Sequence, residues 1–98
     1  MFDVNLINKR YFEIKVGTTI LEIEPPTKKM LNKITSLRSV KDEEATDGLY
    51  EAVVMILNKN KAGKKILDKT VEEFNYDQVN AILTAYFEWL SKEKNSPN

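Results

Sequence analysis

The sequence predicts an α+β fold, in which an N-terminal antiparallel β-hairpin or three-stranded meander is followed by about three α-helices. Two observations carry this prediction. Up to Glu24, apolar and polar residues alternate with a period of two, as expected for strands that bury one face. Beyond Pro25 and Pro26, which cannot donate to a β-ladder, apolar residues recur every three or four positions, as in amphipathic helices.

The chain has the length of one domain and is too short for two, since it has 98 residues. Its composition is that of a globular protein, with 42% apolar residues and only three glycines and three prolines. We therefore predict a single domain over residues 1–98. Its parts are a β-sheet region (1–25), a helical region (27–91) and a flexible polar tail (92–98).

Three groups of alternating apolar residues define the predicted strands. They are Phe2, Val4 and Leu6, then Phe12, Ile14 and Val16, then Leu21 and Ile23. The alternation breaks at Asn8-Lys9 and at Gly17-Thr18, and Asn and Gly tolerate the positive φ that tight hairpin turns need. The pattern therefore favours two turns that join three antiparallel strands.

The first two helices are predicted from a cap and from apolar spacing. Thr27 is a natural N-cap for a helix over residues 27–40. A second helix is expected from residue 45 or 46 to Asn58, ahead of a stretch rich in Lys and Asn. Residues 59–73 fit either a short strand or a single helical turn, and we expect a mostly irregular link there.

Several start signals agree at the third helix. Asn75 can cap its N-terminus, and Gln78 can reach back to the cap in a capping box. Phe74 and Val79 can pack together as a hydrophobic staple. The apolar stripe that begins here continues to Ser91, where we expect the helix to end.

The second and third helices are apolar around most of their circumference. A domain of this size has too little interior to surround both, so part of each arc should reach the surface, where exposed apolar groups usually mark a partner. The residues at the edges of the arcs are the candidate partner-binding residues. They are Tyr50, Val54 and Met55 on the second helix, and Phe87 and Trp89 on the third. The alternative, that all five are buried in the core, stays open.

The composition excludes much of enzyme chemistry. Without Cys or His the chain has no disulfides, thiol nucleophiles, imidazole bases or zinc sites of the usual kind. A phosphate-binding loop ending near Gly63 would need Gly and Ser or Thr where Asn58 and Lys65 stand. A calcium loop starting at Glu43 would need its last glutamate where Val54 stands. We therefore expect no enzyme, no cofactor and no metal site.

Charge and hydropathy narrow the range of partners. Fifteen basic and fifteen acidic residues give a net charge of zero, so no global field attracts nucleic acid or anionic lipid. The five lysines from Lys59 to Lys69 are expected on a solvated loop, because no aromatic residue is interleaved with them for base stacking. No apolar run approaches the ~18 residues of a membrane span, and the N-terminus lacks the pattern of a secretion signal. We expect a soluble, cytoplasmic protein.

Three stretches resemble one protein family in their order and spacing. They are the hairpin leading into Glu24-Pro25-Pro26-Thr27, the segment LYEAVVMILNKN that starts at Leu49, and the segment from Phe74-Asn75-Tyr76-Asp77-Gln78-Val79 through Glu88-Trp89-Leu90. In this pattern the chain resembles the small tail assembly chaperones of long-tailed bacteriophages and prophages of Gram-positive bacteria. The resemblance lies in hydrophobic positions and caps rather than in a catalytic signature.

The resemblance implies a non-enzymatic protein of the host bacterial cytoplasm. Such a protein binds the very long, helical tape measure protein and keeps it soluble while tail subunits polymerise around it. Tail tube subunits are a further partner in this picture, and the family often makes a longer form by ribosomal frameshifting. No functional residue of the family is carried over, so the five candidate residues rest on the helical pattern alone.

Two other classes of function stay open. A structural component of the phage particle, such as a head-tail joining or tail protein, would also need apolar interfaces. A small regulatory domain could contact nucleic acid through the lysine-rich stretch. The same surplus of apolar surface could also close a homo-oligomer.

Overall fold

The computed structural model of the chain describes residues 1–4, 10–39 and 45–94. Its elements, in chain order, are β1 (Phe12–Val16), β2 (Thr19–Ile23), α1 (Lys28–Arg38), α2 (Ala45–Asn58), α3 (Asp68–Glu72) and α4 (Tyr76–Lys94). This arrangement is the predicted α+β fold, in which an N-terminal antiparallel hairpin precedes a helical region. The fold prediction is therefore confirmed.

The hairpin buries the face that its period-two pattern predicts. Phe12 pairs with Ile23 at its open end, and Val16 pairs with Thr19 beside the turn. Gly17 turns the chain with a φ of 63°, a conformation that glycine adopts without steric penalty. The inward-facing residues are Phe12, Ile14 and Val16, which are half-buried, and Leu21 and Ile23, which are fully buried.

The first of the three predicted strands, which contains Phe2, Val4 and Leu6, is not found among residues 1–4. Phe2 and Val4 lie outside β-structure, and their side chains are 79% and 68% exposed. Leu6 and the predicted turn at Asn8-Lys9 lie outside the described residues. Within the described part of the chain, the sheet has two strands.

Residues 59–61 cover the outer edge of β2. Asn60 forms an antiparallel bridge with Ile23, and two backbone hydrogen bonds of 2.8 Å flank this bridge. The connection then forms the short helix α3, which puts the buried Val71 into the core. The prediction of a mostly irregular link over 59–73 therefore holds for residues 61–67, and α3 is the single helical turn that the sequence left open as an alternative.

Two asparagine side chains organise the connection between the bridge and α3. Asn58 donates to the Ile66 carbonyl at 2.9 Å and accepts from the Ile66 amide at 2.8 Å. The buried Asn60 donates to the Lys64 carbonyl at 2.7 Å and accepts from the Lys64 amide at 2.8 Å. Each asparagine thus mimics a β-partner for one residue of the loop. The side chains of Lys61, Lys64 and Lys65 are exposed as predicted, whereas Lys59 is half-buried and forms a 3.8 Å ion pair with Glu24.

The predicted caps fix the starts of α1 and α4. The Thr27 hydroxyl accepts a hydrogen bond from the Met30 amide at 3.2 Å. Asn75 and Gln78 form the reciprocal capping box, with both hydrogen bonds at 2.8 Å. The third predicted helix, α4, was expected to end at Ser91, but it continues to Lys94, so the predicted tail is shorter. Residues 95–98 lie outside the described residues, as does residue 40, the predicted end of the first helix.

One core lies between the hairpin and the helices. Its buried apolar residues are Leu21, Ile23, Ile34, Ala52, Val53, Ile56, Leu57, Ile66, Val71, Val79, Leu83 and Tyr86. α2 supplies four of these and packs against α1 at close range, because a Cβ on Gly48 would lie 2.7 Å from the Leu37 carbonyl oxygen. In the described part of the chain, no helix combines the length and the apolar character needed to cross a membrane.

Candidate functional site

The five predicted partner-binding residues do not share one surface. Each of the five side chains is half-buried, so none is fully exposed and none is fully enclosed in the core. Tyr50 and Val54 line one groove together, whereas Met55, Phe87 and Trp89 lie at three other places. The helical pattern found residues at the margin of the core, but it could not show which of them face each other.

A groove lies between α2 and α3. Its volume is about 530 Å³, within the range of ligand-binding clefts. Tyr50 and Val54 of α2 and Val71 of α3 supply its apolar part. The other lining residues are Thr46, Asp47, Glu51, Asp68 and Glu72. We call this feature the α2–α3 groove.

The rim of the α2–α3 groove is acidic. Asp47 and Glu51 stand four residues apart on α2, and Asp68 and Glu72 stand four residues apart on α3. All four residues are exposed, and no Lys or Arg lines the groove among the described residues. None of the four carboxylates lies within 4.0 Å of a basic nitrogen in the described part of the chain. The groove therefore combines an apolar floor with uncompensated negative charge.

This charge arrangement opposes helix stability. Like charges at i and i+4 destabilise a helix by roughly 0.2–0.5 kcal/mol per pair, and the groove holds two such pairs. Asp47 and Asp68 lie in first turns, where the helix dipole favours a carboxylate. Glu51 receives no such compensation, whereas Glu72 has Lys69 three residues before it on α3.

Tyr50 fixes one wall of the groove. Its hydroxyl donates a hydrogen bond of 2.7 Å to the Phe74 carbonyl oxygen, which ties α2 to the connection between α3 and α4. The tyrosine ring is thereby held in place on the groove side of α2. Because the hydroxyl is satisfied within the chain, the ring offers a partner an apolar face rather than a free donor.

Met55 lies on the side of α2 that faces α1. It shares a crevice of about 320 Å³ with Met30 and Thr27 of the α1 start, and Lys29 and Lys33 stand at its rim. This crevice is thus the electrostatic opposite of the α2–α3 groove.

Phe87 lies in a third place, between α1 and α4. The guanidinium carbon of Arg38 stands 4.4 Å from the centre of its ring, within the range of a cation–π contact. Leu31 and Leu90 line the same shallow crevice. The ring is therefore already covered on one side by a residue of its own chain.

Trp89 belongs to an aromatic cluster between the hairpin and α4. Its ring centre lies 5.7 Å from that of Phe12 and 5.9 Å from that of Tyr86. Arg10 covers the other face, with its guanidinium carbon 4.3 Å from the ring centre and a 3.3 Å hydrogen bond to the Trp89 carbonyl. Through these contacts Trp89 packs against the edge of the core.

Tyr86 is the fully buried member of this cluster. Within the described residues its hydroxyl has no hydrogen-bond partner. Burial raises the pKa of Tyr86 to about 12, and the nearby positive charge of Arg10 opposes this shift. The hydroxyl therefore stays neutral over the whole physiological range.

The acidic residues of the groove were not identified as site residues from the sequence. Glu72 lies within α3 and lines the groove, and Asp47 lines it from the first turn of α2. The i, i+4 spacing of the acidic residues was the available signal.

The helical pattern also did not identify three exposed apolar side chains. Ile20, Leu67 and Tyr76 are 65%, 55% and 52% exposed. Ile20 stands on the outer face of the hairpin, opposite Lys15, and Leu67 precedes α3. These residues lie apart from the α2–α3 groove lining.

Comparisons with known proteins do not identify a function for this chain. No protein-family model, curated protein or solved structure matches this chain. Among the described residues, no group of three or more acidic side chains is arranged to hold a metal ion.

Proposed function

We propose that this chain is a phage tail assembly chaperone, which binds the tape measure protein in the host cytoplasm and keeps it soluble while the tail assembles. The observation that carries the proposal is the α2–α3 groove. It offers the half-buried apolar side chains of Tyr50 and Val54 beside α3, which is the kind of surface that receives an amphipathic helix. The resemblance of the sequence to tail assembly chaperones supplies the identity of the helical partner.

The size of the groove suits this role. The α2 residues that line it run from Thr46 to Val54, which corresponds to about 12 Å of helix at a rise of about 1.5 Å per residue. A bound helix could place apolar side chains from two successive turns on a floor of this length. Recognition of two turns is modest, so a chaperone of this kind would release its partner as tail tube subunits polymerise.

Co-expression with the tape measure protein tests the proposal. We expect the tape measure protein to be soluble and to co-purify with this chain, and to be insoluble when expressed alone. A polar substitution in the groove floor, Val54→Thr, should reduce the recovered complex. Val16→Thr is the matched control, because Val16 is also a half-buried valine but lies in the hairpin.

Two results would contradict the proposal. In one, the tape measure protein stays insoluble while this chain is soluble alone. In the other, mass spectrometry of purified virions finds abundant copies of this chain, which would favour a structural component of the particle.

A further inference from the structure

We propose that the α2–α3 groove selects a cationic amphipathic helix, whose apolar side chains cover Tyr50 and Val54 while flanking lysines or arginines face the acidic rim. This inference rests on the proposed function for the helical nature of the partner. It adds the place of binding and the charge of the segment that binds.

The first step is charge complementarity. Four exposed carboxylates line the groove, from Asp47, Glu51, Asp68 and Glu72, and no basic residue lines it among those described. An anionic partner would meet like charge on both walls, which disfavours it. A cationic segment gains attraction from both helices at once, and this attraction also speeds the encounter.

The second step is the cost of this arrangement to the chain itself. The two i, i+4 acidic pairs repel within their own helices, and Glu72 stands in the last turn of α3, where the helix dipole disfavours a negative charge. A bound lysine or arginine between the walls would relieve both repulsions. Relief of this repulsion would add to the attraction between the groove and a cationic partner.

The third step distinguishes this groove from the other crevices. The Met55 crevice carries Lys29 and Lys33, and the Phe87 ring is covered by Arg38. The crevice of about 240 Å³ beside Leu67 carries Lys64 and Lys65. Each of these other places thus carries basic side chains, which would disfavour a cationic helix there relative to the α2–α3 groove.

Two designed peptides test the inference by charge exchange. Both are amphipathic helices with leucine at i, i+3, i+4 and i+7, one with lysines and the other with glutamates beside the leucines. We expect the wild-type chain to bind the lysine peptide about tenfold more tightly than the glutamate peptide at low salt. Raising the salt from about 50 to about 500 mM should reduce this preference to less than about threefold.

The variant E51K/E72K should lose the preference, because the two introduced lysines balance the two remaining carboxylates of Asp47 and Asp68. The matched control is E13K/E88K, which changes the net charge equally at two exposed positions outside the groove. This control should keep the wild-type preference. A loss of preference in the groove variant alone can only come from the rim charges.

Several outcomes would overturn the inference. One is an unchanged preference of E51K/E72K. Another is failure of both peptides to bind while the tape measure protein still co-purifies, which would leave the proposed function standing and move the site elsewhere. A third is a concentration-dependent dimer of the wild-type chain that E51K/E72K dissociates, because the groove would then hold a second copy. If the peptides behave as expected but the tape measure protein does not bind, the proposed function fails and the groove specificity holds.

Discussion

The α2–α3 groove and the aromatic cluster use the same kind of residue in opposite ways. In the groove, Tyr50 is half-buried, its hydroxyl is bonded to the Phe74 carbonyl, and carboxylates surround an open floor. In the cluster, Tyr86 is fully buried, its hydroxyl has no partner among the described residues, and neighbouring rings close around it. The apolar arcs of α2 and α4 look alike in sequence, yet one side leaves a groove and the other closes the core.

Among the variants that probe these two regions, Trp89→Ala is expected to change the free energy of unfolding most. Truncation removes contacts to Phe12 and Tyr86 and uncovers Arg10, so we expect a loss of about 3 kcal/mol in the free energy of unfolding. Urea denaturation followed by circular dichroism measures it. The comparable truncation in the groove, Val54→Ala, should cost about 1 kcal/mol. Equal losses at the two positions would contradict the distinction between a closed and an open region.

The second prediction concerns alkaline pH. The unfolded tyrosine loses its proton near pH 10, whereas the pKa of Tyr86 in the folded chain is about 12. The folded state therefore retains a proton that the unfolded state has lost, so stability is full below pH 10 and falls between pH 10 and 12. The complete loss corresponds to about 2–3 kcal/mol, of which about 1 kcal/mol should appear between pH 9 and pH 11.

Tyr86→Phe is the control for this pH dependence. The variant lacks the titrating group, so its stability should fall less than that of the wild-type chain over the same pH range. Urea denaturation at pH 9, 10 and 11 makes the comparison. Parallel pH profiles for the two proteins would show that Tyr86 does not titrate differently on folding.

Removing each tyrosine hydroxyl at neutral pH should have opposite effects. Tyr50→Phe leaves the Phe74 carbonyl without its donor, and we expect a loss of about 1 kcal/mol. Tyr86→Phe removes a buried hydroxyl that has no partner among the described residues, and we expect a gain of about 1 kcal/mol. Thermal or urea unfolding of both variants measures the two signs. Effects of the same sign would mean that the two hydroxyls have similar environments.

The smallest expected effect on stability is at the groove rim. The variant E51Q/E72Q removes one charge from each i, i+4 acidic pair, so we expect a gain of up to about 0.5 kcal/mol. The same variant should bind the lysine peptide about three- to tenfold more weakly. Urea denaturation and peptide titration measure the two effects. A loss of stability would show that the rim charges serve the fold rather than a partner.

Local patterns predicted the parts of the fold that depend on local chemistry. The Thr27 cap, the Asn75–Gln78 capping box and the inward face of the hairpin all follow from residues close in sequence. α3 was left open as one of two alternatives, a short strand or a single helical turn, because five residues do not establish a helical period. Asn60 was read only as part of a polar loop, although its side chain holds the loop together.

The groove could be predicted only in part. Tyr50 and Val54 were identified from the edge of the apolar arc of α2, because helical geometry is local. The opposite wall was not, because α3 comes close to α2 only through tertiary packing. The contacts of Trp89 with Phe12 and Arg10 could not be predicted for the same reason, since they join the two ends of the chain. The role of Trp89, Met55 and Phe87 as partner contacts stays a prediction.

Amide chemical-shift mapping tests most directly whether the α2–α3 groove is the binding surface. A chain of 98 residues suits a ¹⁵N-labelled titration with the lysine-bearing amphipathic peptide. We expect the largest shift changes at residues 46–54 and 68–72, with small changes at the aromatic cluster. Shift changes concentrated around Phe12, Tyr86 and Trp89 would contradict this assignment and move the binding surface to the other end of the fold.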